Sequence, residues 1–318
     1  MGDALLALGL GVLALLLGTD SLLKGVSGLA QRLGATPYRV GIAMLGLGAA
    51  LPQLAIVARA RWTGHPELAT GVALGSAVAA VGLTLSVTVA VTPLTLTMRA
   101  MSRQAQLTVV AVFALFLLGI DGGLSAIDGA VLLALFVLGQ GLLWRSASAE
   151  PPGVRLQFTE NQFTQTEVGR AELRIAIGLA ALGYGAYKCS DGAVALALAA
   201  GVPEVVVGLT VVAVGSTLPA LVAALLAANG DQPDVAAGSA VGAFLFNLTV
   251  LVGGSAVLQP LPLGRPLLGA VLPDLTVAAI LLAVAVIRPG ALLKRGTGAV
   301  LAACWLAALV WHWLALRG

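Results

Sequence analysis

Charge is what this chain has least of: Asp, Glu, Lys and Arg together make up 10% of its 318 residues, against 59% hydrophobic, with a mean hydropathy of +1.02. An ordinary soluble domain carries about a quarter charged residues, so a soluble fold is excluded. Cysteine is nearly absent too. Cys189 and Cys304 lie in apolar runs without paired or metal-ligand spacing, which excludes a disulfide framework and reads both as small buried hydrophobes. There are two histidines, His65 and His312, read as surface or interfacial. With no H-E-x-x-H pair and no G-x-S-x-G elbow, they argue against an intramembrane enzyme. The net charge of +3 is scattered through loops without a basic cluster, so nucleic acid is not an expected partner.

What is present is apolar sequence in runs of about 20 residues, the length that crosses a bilayer as a helix, where barrel strands would be about half as long and alternating. The opening "MGDALLALGLGVLALLLGTD" has no basic leader and is read as the first span. Breaks at Pro, Gly and charge clusters delimit ten spans, near residues 4–30, 37–61, 66–92, 104–120, 125–145, 171–199, 203–228, 233–258, 266–287 and 297–316. The one long polar segment, "SASAEPPGVRLQFTENQFTQTEVGR", is read as a loop joining two halves. The expected organisation is 1–145, a cytoplasmic connection 146–170, and 171–318.

The halves are repeats. A shift of 167 residues aligns Gly34 with Gly201, Val40 and Gly41 with Val207 and Gly208, and Gly48 with Gly215. It goes on without a gap to match Leu51, Pro52 and Leu54 with Leu218, Pro219 and Leu221, Pro66 with Pro233, Gly71 with Gly238 and Gly75 with Gly242. Five spans per half is an odd number, so the two halves enter the membrane in opposite directions. The sequence therefore predicts an all-α polytopic membrane protein of ten transmembrane helices in two inverted five-helix repeats.

Placing both termini outside puts Arg32, Arg39, Arg99, Arg103, Arg145, Arg155, Arg170, Arg174, Arg288, Lys294 and Arg295 on the cytoplasmic side. Only Arg59, Arg61, Arg265 and Arg317 then fall outside, so the positive-inside rule favours this orientation in a cell (inner) membrane. Trp62, Trp144, Trp311 and Trp313 near span ends fit interfacial belts; Trp305 does not.

Proline inside a helix removes one hydrogen bond, so Pro52 and Pro219 are expected to kink or break the second and seventh spans and to free the carbonyls of Gly48 and Gly215. Interrupted helices at matching places of inverted repeats point to a transport site, although a proline can also simply shape a packed helix. Gly71 with Gly75, and Gly238 with Gly242, give the third and eighth spans small faces for close approach.

"GIAMLGLGAALPQL" with "GVALGSAVAA", and "GLTVVAVGSTLPAL" with "GSAVGAFLFN", resemble the two alpha-repeats of the cation/calcium exchanger superfamily, over nearly the whole chain. The resemblance implies a secondary transporter, a cation antiporter working by alternating access, with the first and sixth helices moving against the second, third, seventh and eighth. The family's repeat glutamates fall on Gln53 and Ala220, and its final Asn or Asp positions on Ala80 and Asn247. Of the family's hydroxyls, Ser76, Ser216 and Thr217 remain, with Ala49, Ala50 and Ala243 at the other places.

The implied ion or substrate ligands are thus Gln53, Ser76, Ser216, Thr217 and Asn247, with the carbonyls of Gly48 and Gly215. All are neutral oxygens. Calcium takes six to eight oxygens, usually including carboxylates, so a monovalent or proton-coupled version is expected, transporting Na+ or H+ and using no cofactor. The alternatives are carriage of another polar solute, and a non-transporting scaffold or sensor that kept the fold.

Asp20, Asp191 and Asp274 are the candidate proton or charge sites within spans. Asp20 with Lys24, and Lys188 with Asp191, are spaced to pair on one helix face. Asp274, just after Pro273, competes as a helix-start residue, and Glu67 and Asp234 read as helix-start acids.

Overall fold

The computed structural model describes residues 2–34, 40, 46–147, 150–159, 170–286 and 291–315. Its long helices follow the expected spans. The first is Gly2–Arg32, the second Leu47–Trp62, the third Pro66–Val91, the fourth Arg99–Leu118 and the fifth Ala126–Ala147. The sixth is Ala171–Ala200, the seventh Glu204–Asn229, the eighth Pro233–Leu258, the ninth Arg265–Val286 and the tenth Arg295–Ala315. Residues 37–39 and 41–45 of the expected second span, 148–149 and 160–169 of the expected connection, 287 of the ninth span and 316 of the tenth lie outside the described residues.

Burial ranks the helices. The most apolar stretch of the third is 94% buried and that of the eighth 89%, against 33% for the first and 28% for the tenth. The third and eighth are therefore the axis of the bundle, and lipid takes the place of protein around the outer ones. They pack on each other and on the second and seventh.

The symmetry is visible in small contacts. The strand β1 (Leu94–Leu96), after the third helix, pairs antiparallel with β4 (Ala291–Leu293), before the tenth; β2 (Gly123–Leu124), before the fifth, pairs with β3 (Leu261–Pro262), after the eighth. The two ribbons are exchanged by swapping the repeats. Likewise a Cβ on Gly129 would stand 2.4 Å from Gly253 O, and one on Gly298 would stand 2.6 Å from Ser86 O. Those are the same contact in the two halves.

Polar contacts sort by end of the bundle. At one end Thr92 donates to Asn229 Oδ1, and Asp234 receives Thr97 and Met98; at the other, His65 meets Glu204 and Arg61 reaches Gln259. This is the alternation that ten successive crossings require.

The first and sixth helices lie antiparallel along most of their length. Glycines spaced by seven, Gly11, Gly18 and Gly25 against Gly178, Gly185 and Gly192, bring the backbones together. A Cβ on Gly18 would stand 2.8 Å from Leu182 N and 3.0 Å from Gly178 O. Close backbone approach gives dispersion contacts that lipid cannot match.

The connection between the halves is not wholly loop. Pro152–Thr159 is a short helix with Val154 and Phe158 buried. Gln157 Nε2 donates to Asp234 Oδ2 at 3.2 Å, and Asp234 N donates to Gln157 Oε1 at 3.0 Å. An apolar pair two turns of sequence cannot bury alone finds its cover on the eighth helix.

Candidate ion site

The second and seventh helices meet at Gln53. Its side chain is 1% exposed, and its Nε2 donates to Ser216 O at 3.1 Å and to Thr217 Oγ1 at 3.3 Å. Ser216 and Thr217 are themselves buried one turn before Pro219, and their hydroxyls donate back to Ala213 O at 3.3 and 2.7 Å.

Pro52 and Pro219 sit inside helices that continue through them, Leu47–Trp62 and Ala213–Asn229. The departures from α geometry come earlier, at Gly46 with φ +74° and in the π-helical turn Gly208–Val212. Neither helix is interrupted at the proline ring itself. Having no N–H, each proline still leaves the carbonyl four residues back, Gly48 or Gly215, without its helical donor. Both glycines face the first helix: a Cβ would meet Leu23 at 3.0 Å from Gly48 and Val12 at 3.1 Å from Gly215.

The third and eighth helices wind as π-helix over Ala80–Leu85 and Asn247–Leu251, which begin at equivalent positions of the repeats. A π turn widens the backbone and is often found at functional sites. The one in the third helix packs against the seventh, and the one in the eighth against the second.

Several polar atoms here are buried without a hydrogen-bond partner: Gln53 Oε1, Ser76 Oγ and both amide atoms of Asn247. Unpaired buried polar atoms are costly, and a set of them on three mutually packed helices is a candidate place for a ligand. The structure thus brings Gln53, Ser216 and Thr217 into contact and places Ser76 and Asn247 on the helices packed against them.

The acids lie elsewhere. Asp20 pairs with Lys24 at 2.7 Å, as the spacing predicts. Lys188 and Asp191 do not pair: Asp191 meets Arg59 of the second helix at 3.8 Å, while Lys188 stands over the rings of Tyr187 and Tyr184. The aromatic faces and the neighbouring helix outcompete the local partner. Asp274 does not start a helix. It lies inside the ninth, 2.6 Å from His312 Nε2 of the tenth, and His312 is 2% exposed instead of interfacial. His65 is half-buried against Glu204 at 2.9 Å. Glu67 and Asp234 occupy first helical turns as expected. Cys189 is buried, but Cys304 is exposed on the wall of a cavity of about 470 Å³ between the third, ninth and tenth helices.

Three features escape reading from sequence. Arg61 is buried, with Nη2 donating to Ser255 O at 3.1 Å and Gln259 O at 2.7 Å, so it caps the eighth helix from the second. Trp305 is buried because Gly82 leaves room for it: a Cβ there would meet its ring at 2.3 Å. The glycine heptads of the first and sixth helices were the one signal in plain view.

Comparison with known proteins agrees with this architecture. The model of the sodium/calcium exchanger protein family matches residues 4–144 and 173–314, one match per repeat. The solved structure of the sodium-calcium exchanger NCX_Mj superposes with a TM-score of 0.67 at 23% identity, covering 96% of this chain and 97% of that one. The chain is 27% identical over 220 residues to a putative antiporter, CaxA, of Alkalimonas amylolytica, covering 68% of this chain and 69% of that protein. It is 28% identical over 280 residues to the inner membrane protein YrbG of Escherichia coli, covering 84% and 85%. The protein is a multi-pass membrane transporter by class. It belongs to the sodium/calcium exchanger family.

Proposed function

We propose that the protein is a cation antiporter whose central site takes a monovalent cation, Na+ or H+-coupled, in preference to calcium. The observation that carries this is the pair Gln53 and Asn247: buried amides with unpartnered oxygens on packed helices, where charged ligands would be needed for a divalent ion. Taking Ca2+ out of water costs far more than amide and hydroxyl dipoles return, whereas a singly charged ion is held by fewer and weaker oxygens. Alternating access follows from two inverted halves and a separately packed first and sixth helix pair. Both termini lie outside the cell membrane in this proposal, since that leaves eleven basic residues in cytoplasmic segments and four outside.

The test is flux. Purified protein in liposomes is given an imposed Na+ or proton gradient, and 22Na+ uptake, lumenal pH and 45Ca2+ uptake are followed. Monovalent exchange with little 45Ca2+ is the expected result. Calcium exchange of comparable rate overturns the preference. Silence across monovalent ions, calcium and small polar solutes, by folded protein, leaves the scaffold.

A further inference from the structure

The network around Gln53 fixes which way its amide points. Thr217 Oγ1 gives its hydrogen to Ala213 O at 2.7 Å, so toward Gln53 it only accepts, and Ser216 O accepts by nature. The nitrogen of Gln53 must face them, and it does, at 3.1 and 3.3 Å. Its two N–H groups are thereby both used, and its oxygen is left buried without a partner. A carbonyl and a hydroxyl converging beside a proline turn are the hard oxygen donors that hold Na+ or Ca2+.

We propose that the Gln53 amide is a tethered substitute for a cation: its NH2 group fills one subsite of the cage, formed by Ser216 O and Thr217 Oγ1. The cage therefore binds one monovalent cation fewer than it would with a carboxylate at this position. This deepens, and rests on, the reading of the central site as an ion cage. Charge balances on both sides of the comparison. A carboxylate plus one monovalent cation sums to zero, as does the neutral amide, so the same buried charge is reached without a mobile ion. Gln53 Oε1, Ser76 Oγ and Asn247 Oδ1, all buried and unpartnered, are the neutral oxygens left for any remaining ion.

The variant Gln53→Glu removes both donors and, at alkaline pH where the carboxyl is ionised, sets a carboxylate against two oxygens, a contact that a bridging cation relieves. Ligands that bind the folded state stabilise it. Gln53→Glu in detergent is expected to melt below wild type in choline chloride and to recover in NaCl with saturation, and 22Na+ bound per protein is expected to rise by one. Gln53→Leu, which removes the donors without adding charge, gains no Na+ binding. Recovery of Gln53→Glu only in the presence of Na+ is the same dependence in its extreme form. The proposal is overturned if folded Gln53→Glu binds no more Na+ than wild type. It is equally overturned if Gln53→Glu folds in neither salt while Gln53→Leu folds. A wild type that moves no cation, beside a Gln53→Glu that gains one Na+, sinks the transport reading and leaves the substitution intact; a transporting wild type with no gain in Gln53→Glu does the reverse.

Discussion

His312 Nε2 stands 2.6 Å from Asp274 Oδ2, joining the ninth and tenth helices inside the bundle. His312 Nε2 also lies 3.2 Å from Ala270 O, so two oxygens share that nitrogen. Removing His312 leaves the Asp274 carboxyl without its partner, whereas removing Asp274 leaves His312 Nε2 with Ala270 O. Leaving a buried polar group without its partner costs about 1–3 kcal/mol. Asp274→Ala is expected to lower the melting temperature in detergent more than Asp274→Leu combined with His312→Leu, and a double-mutant cycle on the same melts measures the coupling.

Calcium binding is expected to be restorable. Gln53→Glu together with Ala220→Glu returns two carboxylates to equivalent positions of the repeats, both buried in the wild-type chain. Under the proposed neutral site, the double variant should bind more 45Ca2+ than wild type. Unchanged binding by folded double variant would remove Gln53 and Ala220 from the site.

Gly46 begins the helical part of the second span at φ +74°, and a Cβ there would lie 2.3 Å from the backbone carbon of Gly242. Strain and overlap act together, with backbone that cannot swing aside. Gly46→Ala is expected to destabilise by about 2–4 kcal/mol, combining a left-handed backbone penalty with overpacking. Thermal melts of Gly46→Ala beside Gly64→Ala, which has positive φ but open space, separate the two causes.

Asp234 accepts from Thr97 N, Met98 N, Thr97 Oγ1 and Gln157 Nε2, and is fully buried. Asp234→Ala strands four donors. The helix Pro152–Thr159 should lose its anchor, and limited trypsinolysis at Arg155 should accelerate severalfold over wild type. An unchanged cleavage rate would show that Val154 and Phe158 hold the segment without it.

Ten spans, their inversion and the position of Gln53 were legible because each rests on local pattern: apolar run length, glycine and proline spacing, and an odd number of crossings. Partners were less so. Asp20 and Lys24 could be paired from sequence because their spacing is the contact. Asp191 could not, since Arg59 reaches it from another helix. Asp274 looked like a helix start beside Pro273, and only the packing of the tenth helix reveals His312 as its neighbour. The π turns at Ala80 and Asn247 leave no mark in composition, because they arise from how four helices share limited space. The alignment of the first and sixth helices through Gly11, Gly18, Gly178 and Gly185 was written in the sequence as a seven-residue spacing, and passes unnoticed among 40 glycines.

The two ribbons, Leu94–Leu96 with Ala291–Leu293 and Gly123–Leu124 with Leu261–Pro262, each tie one repeat to the other, at opposite ends of the bundle. Such stitching makes the halves a closed frame rather than two doors on a hinge. The glycine-lined first and sixth helices carry no strand of either ribbon, so in the antiporter proposed above they are the elements left outside that frame.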